Sequence, residues 1–198
     1  PDAFLASKDD YYNEFAHDIY NDEDQFYKWD KESKVFESSF LTTENYLLEF
    51  EKQADWQPGK YIVILKTNDK NGVPVEVNKY FTLFHPDSKK IPLNEACWSY
   101  LEMKEYEPGD IAKLYLGSAL KNVKVHYELE QGGYLLDEKW LELNEEQKVI
   151  EIEIEEEHRG DIVVHISCII NNESHILTNY IYVPWTNKNL KIEFETFR

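Results

Sequence analysis

Cysteine is scarce: the chain of 198 residues carries two, Cys97 and Cys168. Two cysteines do not build a disulfide framework, and their separation is not a metal-ligand spacing. Cys168 continues the row Ile162, Val164, Ile166, Cys168, Ile170, one face of a strand, so a buried free thiol is the first expectation. A Cys97–Cys168 bridge is the alternative, because sequence carries no distance between them. Glycine is short as well, and seven of them leave little room for a phosphate-cradling loop. There is no His-Glu-x-x-His zinc helix and no Gly-x-Ser-x-Gly elbow. Basic residues are outnumbered, 21 against 39 acidic, for a formal net charge of −18. That field repels phosphate backbones and anionic lipid, which argues against nucleic acid as a partner and against direct membrane contact. Long apolar runs are missing too. "DIVVHISCII" reaches about half of the ~20 residues a membrane helix needs. The chain has no charged-then-apolar leader or lipidation signal, opens on Pro1-Asp2 and stops inside the strand-like "KIEFETFR". It therefore reads as a piece of a longer protein, whose location the missing leader leaves open.

What is present is alternation. "KVIEIEIEEE" sets Ile150, Ile152 and Ile154 against Glu151, Glu153 and Glu155, a strand with one buried and one wet face. "NVKVHYELEQ" puts Val123, Val125, Tyr127 and Leu129 on one side and Lys124, His126, Glu128 and Glu130 on the other. "DIAKLYLGS" turns Ala112, Leu114 and Leu116 inward. "DIVVHISCII" and "SHILTNYIYV" are two more strands around the turn composition "NNES". With "ACWSYLEM" and the less regular "YLLDEKWLEL", seven strands fall between about Ala96 and Val183, the pattern of an immunoglobulin-like sandwich.

Prolines and lysines in "FHPDSKKIP" mark a boundary between Phe84 and Pro92. Upstream, "KVFESSF", "NYLLEF", "GKYIVILKT" and "VPVEVNKYFTLF" predict four further strands, too few to close a sandwich. "NDKNG" forms the hairpin between the last two, its Asn-Gly pair suited to positive backbone dihedrals. The N-terminal segment is acidic and aromatic, with Tyr11, Tyr12, Phe15 and Ile19 near helical spacing. "WQPGKY" and "YEPGDI" read as one Pro-Gly turn chemistry used twice.

Candidate chemistry is thin. His126 and His165 fall on outward strand faces, "EEEHRG" is a charged turn, and Asp22-Glu23-Asp24 lacks the alternation and glycine of a calcium loop. Trp29, Trp56 and Tyr134 are the aromatics that could stack on sugar rings. "YELEQGGY" differs by one residue from Cys-Leu-Glu-Gln, the spelling of an internal thioester, but Glu128 has no thiol. Alternation sends Glu128 and Glu130 outward and makes Gln131-Gly132-Gly133 a turn. No catalytic, cofactor-binding or metal-ligating residue is assigned.

Three stretches resemble the bacterial members of the alpha-2-macroglobulin family. "PGKYIVILKTNDKNGVPVEVNKYF" is similar to the last hairpin of one macroglobulin domain, and "YEPGDIAKLYLGSAL" with "VKVHYELEQGGY" resembles the opening strands of the next. "VPWTNKNLKIEFETFR" looks like the exit into another, and "YYNEFAHDIYNDEDQFYKW" resembles an acidic-aromatic segment of those proteins. The resemblance implies an all-β chain of tandem immunoglobulin/fibronectin III-like antiparallel β-sandwiches. Residues 1–34 would be an irregular, partly helical N-terminal segment and 35–88 an incomplete first sandwich. Residues 89–187 would be a complete seven-stranded sandwich and 188–198 the first strand of a following domain. It further implies a scaffold module without enzyme activity or cofactor, whose partners are neighbouring macroglobulin domains and, through the parent protein, target proteases. The parent would sit in the cell envelope on a lipid anchor. A carbohydrate-binding or adhesion module is the alternative.

Overall fold

The computed structural model describes residues 7–15, 19–41, 47, 50, 55–170 and 172–188. The chain divides into two compact units, Pro1–Leu83 and Phe84–Arg198.

In the first unit, Ser7 caps helix α1 (Lys8–Glu14), accepting from the Asp10 amide at 3.1 Å, with Asp9 and Asp10 at the positive end of the helix dipole. Tyr11, buried, packs its ring against Phe15 and Tyr20, which is why the helical spacing of aromatics is visible in sequence. Strands β1 (Gly59–Asn68) and β2 (Pro74–Leu83) form an antiparallel hairpin. An isolated two-stranded ribbon is marginal in water. Here the paired Tyr61 and Phe81 stack at 5.4 Å, and Trp56 stacks on Tyr61 at 5.4 Å, which covers one end of the hairpin. The turn corrects the sequence reading. Gly72 has φ +80°, Asn71 does not enter the positive region, and the Gly72 amide donates to the Asp69 carbonyl at 3.0 Å. Asp69 Oδ1 also accepts from the amides of Asn71 and Val73, both at 2.8 Å, so the aspartate organises a type I turn that ends on glycine.

A second correction concerns "KVFESSF". Residues 34–40 form no strand, and Val35 and Phe40 stay 46% and 43% exposed. Phe36 of that stretch meets the Phe50 ring, and among the described residues two apolar side chains left in water do not offset the entropy of ordering a strand. The expected strand at 45–50 and the one at 188–198 lie almost wholly outside the described residues.

The second unit is the sandwich the alternation predicts. Its seven strands are β3 (Trp98–Leu101), β4 (Ile111–Ser118), β5 (Val123–Gln131), β6 (Tyr134–Leu143), β7 (Glu146–Glu153), β8 (Gly160–Ile170) and β9 (Glu173–Val183). They form sheets β3-β4-β7 and β6-β5-β8-β9 in which every paired strand is antiparallel. Constant-type immunoglobulin domains put the fourth strand on the first sheet, whereas β6 here joins the second, within the immunoglobulin/fibronectin III-like class. The predicted inward rows meet between the sheets. Ala112, Leu114, Leu116, Val125, Ile162, Val164, Ile166, Ile181 and Val183 are fully buried, and Ile150 and Ile152 of β7, with Ile154 just beyond it, close the core.

The irregularity of "YLLDEKWLEL" is a β-bulge. Leu129 faces Asp137 but Glu130 faces Leu135, which leaves Leu136 as the extra residue. The β5–β6 turn is Gly132-Gly133 with φ +57° and +88°, dihedrals that suit a two-residue hairpin and that glycine adopts without cost. The Pro-Gly stretches are not one turn used twice. The Asp110 amide donates to Glu107 at 3.0 Å with Gly109 at φ +98°, whereas Gly59 is already the first residue of β1.

The outer faces of the two sheets differ. On the three-stranded sheet, Phe84 sets its ring edge-on to Trp98, Tyr100 and Tyr115 at 5.0–5.2 Å. Gln147 of β7 then ties the lead-in down: its side-chain amide donates to the His85 carbonyl at 2.9 Å and its backbone amide to Lys89 at 2.6 Å. Gly117, between Trp98 and Gln147 in register, leaves the notch that Ile91 fills.

Burial also fixes an alkaline limit. Tyr127 is 1% exposed and desolvation, reinforced by Asp137, pushes its phenol well up; Tyr106 and Tyr115 are raised for the same first reason. A group with a raised folded pKa contributes stability that is whole below its unfolded value and lost as pH rises through the folded one. The second unit should hold its urea midpoint from neutral pH to about 10, the ordinary tyrosine value, and lose it steadily above. Tyr127→Phe should flatten that fall, as read by tryptophan fluorescence across pH.

Candidate functional surface

The four-stranded sheet leaves its outer face open, and register fixes which side chains share it. One row across the sheet reads Trp140, His126, Ser167, Ile176, and the next reads Glu138, Glu128, His165, Thr178. Trp140, Ile176 and Tyr180 are 68%, 68% and 65% exposed, large apolar surface on strands that alternation gives to solvent. His126 stacks on the Trp140 ring at 4.5 Å and 26°, with Nε2 3.0 Å from Glu138 Oε1 and Nδ1 3.9 Å from Glu128 Oε2. His165 Nε2 lies 3.2 Å from Glu130 Oε2. Both histidines are on the outward face, as the sequence predicts; their cross-strand glutamate partners follow only from the register. A shallow cleft of about 420 Å³ lies beside this row, lined by Lys124, Trp140, Leu141 and Glu142. It is edged by charge.

At one end of the sandwich sits a polar clamp. Arg159 has a side chain only 6% exposed. Its Nε and Nη2 grip the two oxygens of Glu156 at 2.6 and 3.0 Å, a bidentate pair. Nη1 donates to Glu107 Oε2 at 3.3 Å, to Thr186 Oγ1 at 3.2 Å and to the Pro184 carbonyl. Thr186 closes the ring by donating to Glu107 at 3.1 Å. The guanidinium holds the Glu156 carboxyl below its ordinary range. The clamp thus joins the β7–β8 connection, the 107–110 turn and the segment that leaves β9. Arg159→Met should speed amide exchange across residues 184–188 and leave the Gly132-Gly133 hairpin unchanged, measured by hydrogen–deuterium exchange.

"YELEQGGY" contributes to the same end. Glu128 is on the open sheet face, and Gln131 donates its side-chain amide to the Arg159 carbonyl at 3.2 Å. The glutamine that spells a thioester is a support for the clamp. Of the proposed sugar-stacking aromatics, Trp56 is spent in the Tyr61 stack and Trp29 donates its indole N–H to the Glu23 carbonyl at 2.9 Å. Tyr134, beside the β5–β6 turn, is 77% exposed. The acidic Asp22 and Glu23 are engaged inside their own unit, Asp22 with Lys28 at 2.7 Å and Glu23 with Lys8 and Tyr12. Among the described residues, no three His, Cys, Asp or Glu side chains converge as a metal site would require, and no helix is long and apolar enough to cross a membrane.

No family model matches the chain, and no curated protein matches it. Among solved structures it is similar to the rat CD45 extracellular region, domains d3–d4. That match has 13% identity over 90% of this chain and 85% of the other, with a TM-score of 0.26. A score that low carries neither fold nor function over. The class of the second unit, an all-β immunoglobulin/fibronectin III-like sandwich, rests on its own strand order and core.

Proposed function

We propose that this chain is a non-catalytic structural module that works through its surfaces, as a scaffold segment of a bacterial alpha-2-macroglobulin-like protease inhibitor in the cell envelope. The observation that carries the reading is the Arg159 clamp. A nearly buried arginine with two glutamates and a threonine is spent on fixing the path of the chain as it leaves β9. A module whose task is to hold neighbouring domains in register needs such a fixed exit. The second support is the open, partly apolar face of the four-stranded sheet, suited to covering by another domain.

The chain should neither inhibit nor trap proteases by itself. After incubation with trypsin, mass spectrometry should find no covalent adduct, and cleavage of a large protein substrate should proceed at the uninhibited rate. An adduct prevented by methylamine would overturn the reading. The adhesion alternative draws on the exposed Trp140 and Tyr180 rings. Saturable binding on a glycan array, lost on Trp140→Ala, would favour it; binding lost instead on Trp29→Ala or Trp56→Ala would place such a site on the first unit.

A further inference from the structure

The two cysteines of the chain meet in the sandwich core. Both thiols are free, both residues are buried, and both belong to the same apolar cluster, although one precedes the edge strand of the smaller sheet and the other lies within the larger. The strand path explains the encounter. Ser99 and Asn179 hydrogen-bond through their side chains at 3.1 Å, and further along Glu105 bridges Tyr182 in parallel, so β3 runs alongside β9 in the same direction. Two residues before Ser99, Cys97 arrives level with the Leu177 and His175 end of β9. His175 is the register partner of Cys168, whose side chain faces inward there. The interaction between the two thiols raises the Cys97 thiol above its ordinary range and lowers the Cys168 thiol below its own.

We propose that Cys97–Cys168 is a modification site, a pair placed by the fold to close an inter-sheet disulfide when a small-molecule disulfide is available as oxidant. The Cys168 thiolate attacks one sulfur of the oxidant, forming a mixed disulfide and releasing one thiolate. The Cys97 thiolate then attacks the Cys168 sulfur, forming the protein S–S bond and expelling the second thiolate. The protein loses two hydrogens and two electrons, and the oxidant is reduced to two thiols. The bond would fasten the part of the fold most in need of it. β3 has four residues and pairs with one neighbour, β4, while β8 lies between two strands. Cross-linking the entry of β3 to β8 pins a weak edge to the centre of the larger sheet.

The test is to equilibrate the whole chain with mixtures of reduced and oxidised dithiothreitol, once folded from dilution and once in concentrated urea. The fraction that has lost two hydrogens is read by mass spectrometry after acid quenching. Linkage requires the disulfide to be favoured in the folded chain by the same factor by which it stabilises folding. For an unstrained cross-link that factor is about 30-fold or more. A folded-to-unfolded ratio of that order, with the bond mapped to Cys97–Cys168 by non-reducing peptide analysis, is the expected result. A ratio at or below one, or a disulfide found only between two chains, overturns the proposal. This outcome is independent of the scaffold reading, which the trypsin experiment tests separately.

Discussion

Gly117→Val should cost the second unit a large share of its stability. A Cβ built on Gly117 would sit 2.4 Å from Ile91 Cγ2, 3.1 Å from Gln147 Cβ and 3.2 Å from the Glu146 carbonyl. Ile91 cannot withdraw without lifting the lead-in that Gln147 and Phe84 hold against the sheet, and the Glu146 carbonyl is backbone. Overpacking by one or two methylenes costs about 1–3 kcal/mol, and valine places two further carbons on a position already too close for one. The expected loss is at or above about 3 kcal/mol, a large share of the roughly 5–15 kcal/mol that holds a domain together. The urea midpoint should fall accordingly. Adding Ile91→Ala should recover part of the loss, with a coupling of about 0.5–3 kcal/mol in the double-mutant cycle. Additive losses would mean that the notch is not where the strain arises.

Ile166→Ala carries the second large effect. Ile166 is fully buried on β8, opposite Tyr127 of β5 and Leu177 of β9, so truncation leaves a hole that three strands line. Large-to-small changes of this kind cost about 2–5 kcal/mol, or roughly 10–30 °C in Tm for a domain of this size. The partner experiment uses the same residue type three positions along. Ile169 is 78% exposed on the outer face, and Ile169→Ala should stay within about 0.5 kcal/mol. Equal effects at the two positions would contradict the two-faced reading of β8.

That contrast also shows how much of the molecule was legible in its letters. Period-two alternation is local, so the inward rows of β4, β5, β7 and β8 were readable before any partner strand was known. Three kinds of feature were not. Residues 34–40 have strand-like composition but no second strand to pair with among the described residues, and pairing is a tertiary fact. The bulge at Leu136 shifts β6 against β5 by one residue, so its own pattern does not alternate cleanly. The notch at Gly117 is invisible because it exists for Ile91, a residue far from it in sequence. The same holds for function. Arg159 reads as part of a charged turn until the exit segment and the 107–110 turn are brought to it, and Trp140 gives no sign of its His126 stack until the β5–β6 register is fixed. Of the motifs that did stand out, Gln131, Trp29 and Trp56 are engaged in structural contacts, while Tyr134 stays exposed.

The position of Arg159 has a mechanical consequence. It stands one residue before β8 begins, and it grips the segment just beyond the end of β9. β9 is an edge strand whose eleven-residue ladder with β8 would open one hydrogen bond at a time if tension entered from its free end. With the clamp closed, a pull on the exit segment passes through the guanidinium into the start of β8, which lies between two strands. The load then acts along several ladders in shear rather than peeling one. A rivet at the exit turns a zipper into a lap joint.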